Sequence, residues 1–342
     1  MNKIISDSEN YKLLRIFDEF TQSKNISILD RSSDNSFLSS LAETLDKLRT
    51  TQTLLHGLRI QSLFPYIVAS LGKCLHISEE DLGDYYSKEP EIERPDFRIV
   101  LESRENIFVE VKNYYQTNPR SSFKIKPKYL QSLLTYADLH SAKLKFAIYW
   151  AKWGNWTLID PRKIAIGDKG CQFDFGEACQ CNEMYILGDC LLGTIPPLSI
   201  KFETETIENL NNSFTVQIKN AYLKANNSRI VDRVESKIAS FLLFNCRWDR
   251  VEESAEIENG RMTSFELQLF SNEESTDANQ DFQMLGYLSE MLTRQYNLMT
   301  TDNGKVKAIS SVKQPINVEE MIPNGFKGEI LKLWQFKIMP KE

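Results

Sequence analysis

The sequence predicts an α/β fold, strands interleaved with helices, followed by a C-terminal α+β segment. Three observations carry this. Two strands with period-two alternation, Phe97-Ile99-Leu101 and Ile107-Val109-Val111, adjoin across a polar turn. Stretches with apolar residues three and four apart lie before and after them. Beyond about Pro161 acidic and amide residues rise, and further strands follow. At 342 residues, 42% hydrophobic and 26% charged, the chain has a globular balance and is too long for a single small core. The expected organisation is an N-terminal helical arm over residues 1–35, a first domain over 36–165 and an α+β domain over 166–342.

YKLLRIFDEF reads as an amphipathic helix, broken by SKNISILDRSSDNS. A helix over residues 36–55 carries Phe37, Leu38, Leu41, Leu45 and Leu48 as its apolar stripe. A second, over 57–71, has Gly72 as its stop and Pro65 as a kink or break. The polar SEEDLGDYYSKEPEIE reads as a surface connection to the hairpin. There, pairing Ile99 with Ile107 and Phe97 with Val109 gathers apolar side chains on one face. The same pairing sets Asp96 opposite Glu110 on the other face, and a slip of one residue would scramble both. A basic loop, NYYQTNPRSSFKIKPK, leads to a helix over 127–139 that buries Tyr129, Leu130, Leu133, Leu134 and Ala137. KLKFAIYWA and NWTLID read as strands. The second segment holds strands at LSIKFETETI, SFTVQIKNAYL and TSFELQLF, helices over 229–244 and 282–296, and an exposed loop at SNEESTDANQD.

Charge is unevenly spread. The net charge of −6 argues against a nucleic-acid partner, but residues 112–170 carry +8, which leaves −14 for the rest. A basic segment directly after two acids suits a phosphate-backbone groove, with Arg120, Lys124, Lys126 and Lys128 as its contacts; a solvated helix face is the plainer alternative. Trp150, Trp153 and Trp156 are either base-stacking residues or part of a hydrophobic sheet edge. Cys171, Cys179, Cys181 and Cys190 lack a C-x2-C knuckle, so buried cysteines are expected in place of a structural zinc. No signal peptide and no membrane-length apolar run is evident, and a cytoplasmic protein is expected.

Asp96 and Glu110 can hold a divalent cation, and Lys112, two residues from Glu110, shares its face. Pro95-Asp96 followed by Glu110-Val111-Lys112 resembles the PD-(D/E)xK nuclease superfamily, over about residues 36–160. The resemblance implies a restriction-endonuclease-like core, a mixed central β-sheet flanked by helices, and Mg²⁺-dependent phosphodiester hydrolysis, with Mn²⁺ as a substitute. DNA is the expected substrate, RNA the alternative, and restriction or antiviral defence the setting. It implies Asp96, Glu110 and the Val111 carbonyl as metal ligands, with Lys112 orienting the attacking water. Gln61, in G-x3-Q, falls where a third acid often stands, and would ligate through its carbonyl; Glu43 is a remoter substitute. Gln131, on the helix after the lysine strand, is either a catalytic amide or an exposed one. A dimer or higher oligomer built through the second domain is expected, since one site cuts one strand. The competing reading is a nuclease-fold module that binds nucleic acid or a protein without cutting.

Overall fold

A computed structural model describes residues 1, 9–80, 85–89, 91–164, 166–167, 170–210, 213–271, 282–323 and 325–340. Residues 272–281, nearly all of the SNEESTDANQD loop, lie outside these, as do 81–84 and 90 of the polar connection. The helices α1 (Glu9–Ser23), α2 (Asp34–Thr50) and α3 (Gln52–Leu71) come first. Strands β1 (Cys74–Glu79), β2 (Phe97–Leu101) and β3 (Asn106–Tyr114) follow, then β4 (Phe123–Ile125), α4 (Pro127–Leu139), β5 (Lys143–Trp150) and β6 (Asn155–Ile159). The fold is mixed α/β. One sheet runs in the order β1-β2-β3-β5-β6, with β3 and β5 parallel and the other neighbours antiparallel.

The hairpin has the expected register: Phe97 pairs with Val109 and Ile99 with Ile107. Phe97, Ile99, Ile107 and Val109 are all buried on one face against α3. A slipped register would expose them, at about 1.5–3 kcal/mol per side chain, so burial fixes the pairing. Phe108, Phe146 and Ile148 point to the opposite face and pack on Leu130, Leu133 and Leu134 of α4. Helices therefore cover both faces of the sheet.

Several expectations need correction. α3 starts at Gln52 and runs through Pro65 to its left-handed cap at Gly72, without a break. Its buried face from Ile60 to Leu71 is extensive, and packing offsets the helical hydrogen bond that proline cannot donate. The leucine stripe of α2 is mostly solvent-facing: Phe37 is buried against Phe17 and Phe20, but Leu38, Leu45 and Leu48 are exposed. Trp150 and Trp156 are core residues whose indoles donate to Thr157 and Thr293, and Trp153 stacks on Phe175, so none of the three forms an open stacking platform.

The remaining strands are β7 (Ile166–Gly167), β8 (Gly170–Phe173), β9 (Leu191–Thr194), β10 (Leu198–Leu210), β11 (Ser213–Ala225), β12 (Ser228–Arg229), β13 (Arg250–Glu258), β14 (Arg261–Phe270), β15 (Gln283–Tyr287), β16 (Thr301–Asp302), β17 (Lys305–Val306) and β18 (Leu333–Phe336). The helices are α5 (Phe175–Gln180), α6 (Arg233–Asn245), α7 (Leu288–Thr300) and α8 (Val318–Met321). β12-β11-β10-β14-β13 form an antiparallel sheet, and β15-β9-β18 a smaller one. The helix expected over 282–296 begins later, because Gln283–Tyr287 is a strand on β9. The helix expected from Arg229 begins at Arg233, behind an Asp232 cap that accepts from Val234 and Glu235. One apolar cluster joins α3 and β2-β3 to Leu288, Met291, Leu292 and Tyr296 of α7. Among the described residues no helix is long and apolar enough to cross a membrane.

Candidate active site

Asp96 stands immediately before β2, and Glu110 and Lys112 lie on β3. Alternation turns Ile107, Val109 and Val111 toward α3, so Glu110 and Lys112 face α4. The structure brings the sequence-predicted residues together. Asp96 accepts from the Val111 backbone N–H through Oδ2 at 2.7 Å. Its Oδ1 accepts from Gln61 Nε2, also at 2.7 Å. Lys112 Nζ donates to Glu110 Oε1 at 2.5 Å. Glu110 is buried, with 3% of its surface exposed, while the Lys112 side chain is 35% exposed.

Gln61 reaches the site as expected, and its amide nitrogen donates to Asp96, so it braces that carboxylate. A neutral donor orients a carboxylate without cancelling its charge, as the outer partners of metal ligands do. Glu43 is exposed on α2. Gln131 is exposed and bonds Thr135, one turn further along α4.

The α4 residue that enters the cluster is Tyr129, which the sequence reading counted only as packing. Its hydroxyl donates to Glu110 Oε1. Lys112 Nζ lies 3.3 Å from that hydroxyl and 5.1 Å from the ring centre. Burial, then the neighbouring Glu110 charge, pushes the Tyr129 phenol far above its ordinary pKa, so it stays protonated and a donor. Two residues on a helix are about 200° apart, so a helix that aims Tyr129 at β3 aims Gln131 away. The sequence offered a hydroxylated aromatic in the first turn of α4, but at the same helical spacing as the packing residues around it.

The basic residues flank this first turn. Lys124 points outward from β4 between buried Phe123 and Ile125, and Lys126 occupies the N-cap of α4. Lys128 is exposed and pairs with Glu91 at 2.8 Å, and Arg120 is exposed in the preceding loop.

The donor set suits a hard cation. It offers two carboxylates on adjacent strands, and both Glu110 hydrogen bonds end on Oε1; among the described residues none ends on Oε2. Mg²⁺ needs few protein ligands because it keeps several waters. Among the described residues no group of three or more His, Cys, Asp or Glu side chains could hold a metal. Cys171 and Cys190 are buried and Cys179 is exposed.

No family model matches the chain, and no curated protein matches it. Among solved structures it is similar to the Holliday junction resolvase Hjc of the archaeal hyperthermophile Archaeoglobus fulgidus, at 15% identity and a TM-score of 0.26, over 33% of this chain and 85% of that one.

Proposed function

We propose that the chain is a metal-dependent endonuclease that hydrolyses phosphodiester bonds, with DNA as substrate. The observation that carries this is the convergence of Asp96, Glu110 and Lys112 at one end of β2 and β3, with Glu110 Oε2 outside the hydrogen bonds among the described residues. Asp96 and Glu110 would hold Mg²⁺, or Mn²⁺ in its place. A cation there would polarise the phosphoryl group and lower the pKa of a bound water. Lys112 orients that water and offsets the negative charge that develops on phosphorus. Arg120, Lys124, Lys126 and Lys128 hold the phosphate backbone along the approach to α4. Residues 36–165 form the nuclease unit, and 166–342 serve target recognition, assembly or regulation. Cleavage of both strands then requires a homodimer or higher oligomer. The setting, restriction or antiviral defence, follows from the superfamily resemblance.

The second reading is a binding module on a nuclease fold, and the neutral Gln61 beside Asp96 favours it. One assay separates them. Purified protein is incubated with plasmid DNA and Mg²⁺ or Mn²⁺, beside Asp96→Ala and Lys112→Ala. Metal-dependent cutting that both variants lose supports hydrolysis. Equal cutting by all three removes the site. Binding without cutting of duplex, single strand or RNA supports the module.

A further inference from the structure

Glu110 is the more buried of the two acids, and it is held by two groups of different kind. Lys112 brings a charge on a flexible stem that is one-third exposed. Tyr129 brings a neutral hydroxyl on a ring fixed in the first turn of α4, followed at once by the buried Leu130. Both reach the same oxygen, Oε1. A carboxylate tethered through one oxygen by a rigid neutral donor has its plane and its second oxygen set in advance, and it keeps its full charge. On the other side of the pair, Gln61 sends an uncharged donor from α3 to Asp96 Oδ1, while Asp96 Oδ2 takes the Val111 N–H. The two helices that cover opposite faces of the sheet thus each send one uncharged donor to one acid.

We infer that Tyr129 is a positioning residue for the cation site: its hydroxyl fixes Glu110 through Oε1, leaves Oε2 for a divalent cation, and keeps Lys112 within reach of both. This rests on the reading of Asp96 and Glu110 as a cation site. Outer partners of metal ligands carry about 10- to 100-fold in metal affinity when removed. The ring alone, by contrast, accounts for packing. Tyr129→Phe keeps the ring and removes only the donor, which separates the two roles.

The test is Mn²⁺ binding to the full chain, measured by calorimetry without nucleic acid, for wild type, Asp96→Ala and Tyr129→Phe. Each is measured well below its own melting midpoint. The expected result is saturable binding by wild type, loss in Asp96→Ala, and binding about 10- to 100-fold weaker in Tyr129→Phe. Plasmid cleavage by Tyr129→Phe should recover as Mn²⁺ is raised, a rescue that a packing role would not produce. Wild-type affinity in Tyr129→Phe overturns the inference and leaves the cation site standing. No Mn²⁺ binding by wild type overturns the cation site itself.

Discussion

Lys112 on β3 and Lys145 on β5 sit on adjacent strands, and each holds a buried glutamate, yet their surroundings differ in kind. Lys145 faces the α3 side, is 5% exposed at its side chain, and bonds Asp160 at 3.0 Å and Glu183 at 2.6 Å. Lys163 then takes the other oxygen of Glu183 at 2.7 Å. Both Glu183 oxygens are used, each by a cation, and two lysines balance two acids. Around Glu110 one oxygen receives both bonds, one of them from an uncharged phenol. The same residue types therefore make a closed ion network on one face and an open one on the other. The count of engaged oxygens separates the two glutamates where burial does not, since both are buried.

The contrast can be broken most strongly from the closed side. Lys145→Ala takes the buried cation from between Asp160 and Glu183, leaving Glu183 only Lys163, and should cost about 3–5 kcal/mol, read as a lower denaturant midpoint. Lys112→Met should move that midpoint far less. The open side gives the converse. Lys112→Ala should reduce the cleavage rate by about 10²- to 10³-fold, as loss of one preorganised charge-stabilising group does, with the melting curve little changed.

Asp189 sharpens the comparison as a third kind of acid. It is fully buried, and both its oxygens accept from Ser289, at 2.9 Å from the backbone N–H and 2.6 Å from Oγ. Burial outweighs these neutral donors and raises its pKa from 3.8 to about 6. Between those values the folded chain binds more protons than the unfolded one, so this group adds stability as pH falls from about 6 toward 3.8. Relative to Asp189→Asn, wild type should gain up to roughly 3 kcal/mol on acidification from neutral pH. Parallel denaturant titrations across pH measure the difference, and identical pH profiles would show that Asp189 keeps its ordinary pKa. The smallest effect concerns the approach to the site. Replacing Lys124 or Lys126 by Ala should lower the salt slope of DNA binding by about one each, without changing Mn²⁺ affinity.

How much of this was legible depends on whether a residue's neighbours are local. The register of β2 on β3 could be read because alternation on both strands admits one pairing, and Asp96, Glu110 and Lys112 came with it. Tyr129 could not be separated from the packing residues of α4, since an aromatic at helical spacing gives the same signal whether it faces a core or a carboxylate. Gln131 drew attention by its residue type, but the helix turns it away. β13 was missed because its residues are nearly all exposed and show no alternation of burial. The short, bulged strand β1 was missed among polar residues. The leucines of α2 have core-like spacing and yet face solvent, because pattern reports that a face is apolar and says nothing of what covers it.

The apolar cluster that runs from α3 into α7 has a practical consequence for anyone who would re-engineer this chain. Trp156 of the five-stranded sheet donates to Thr293, and Arg59, two residues before Gln61, donates to Asn297 at 2.6 Å. A fragment ending near residue 165 would expose the back of α3 and leave the Arg59 guanidinium, whose pKa burial already lowers, without its amide acceptor. Gene fusions, split-protein designs and circular permutants that keep α7 docked should retain the arrangement of Asp96, Glu110 and Lys112. Those that treat residues 36–165 as a portable cassette should yield insoluble material.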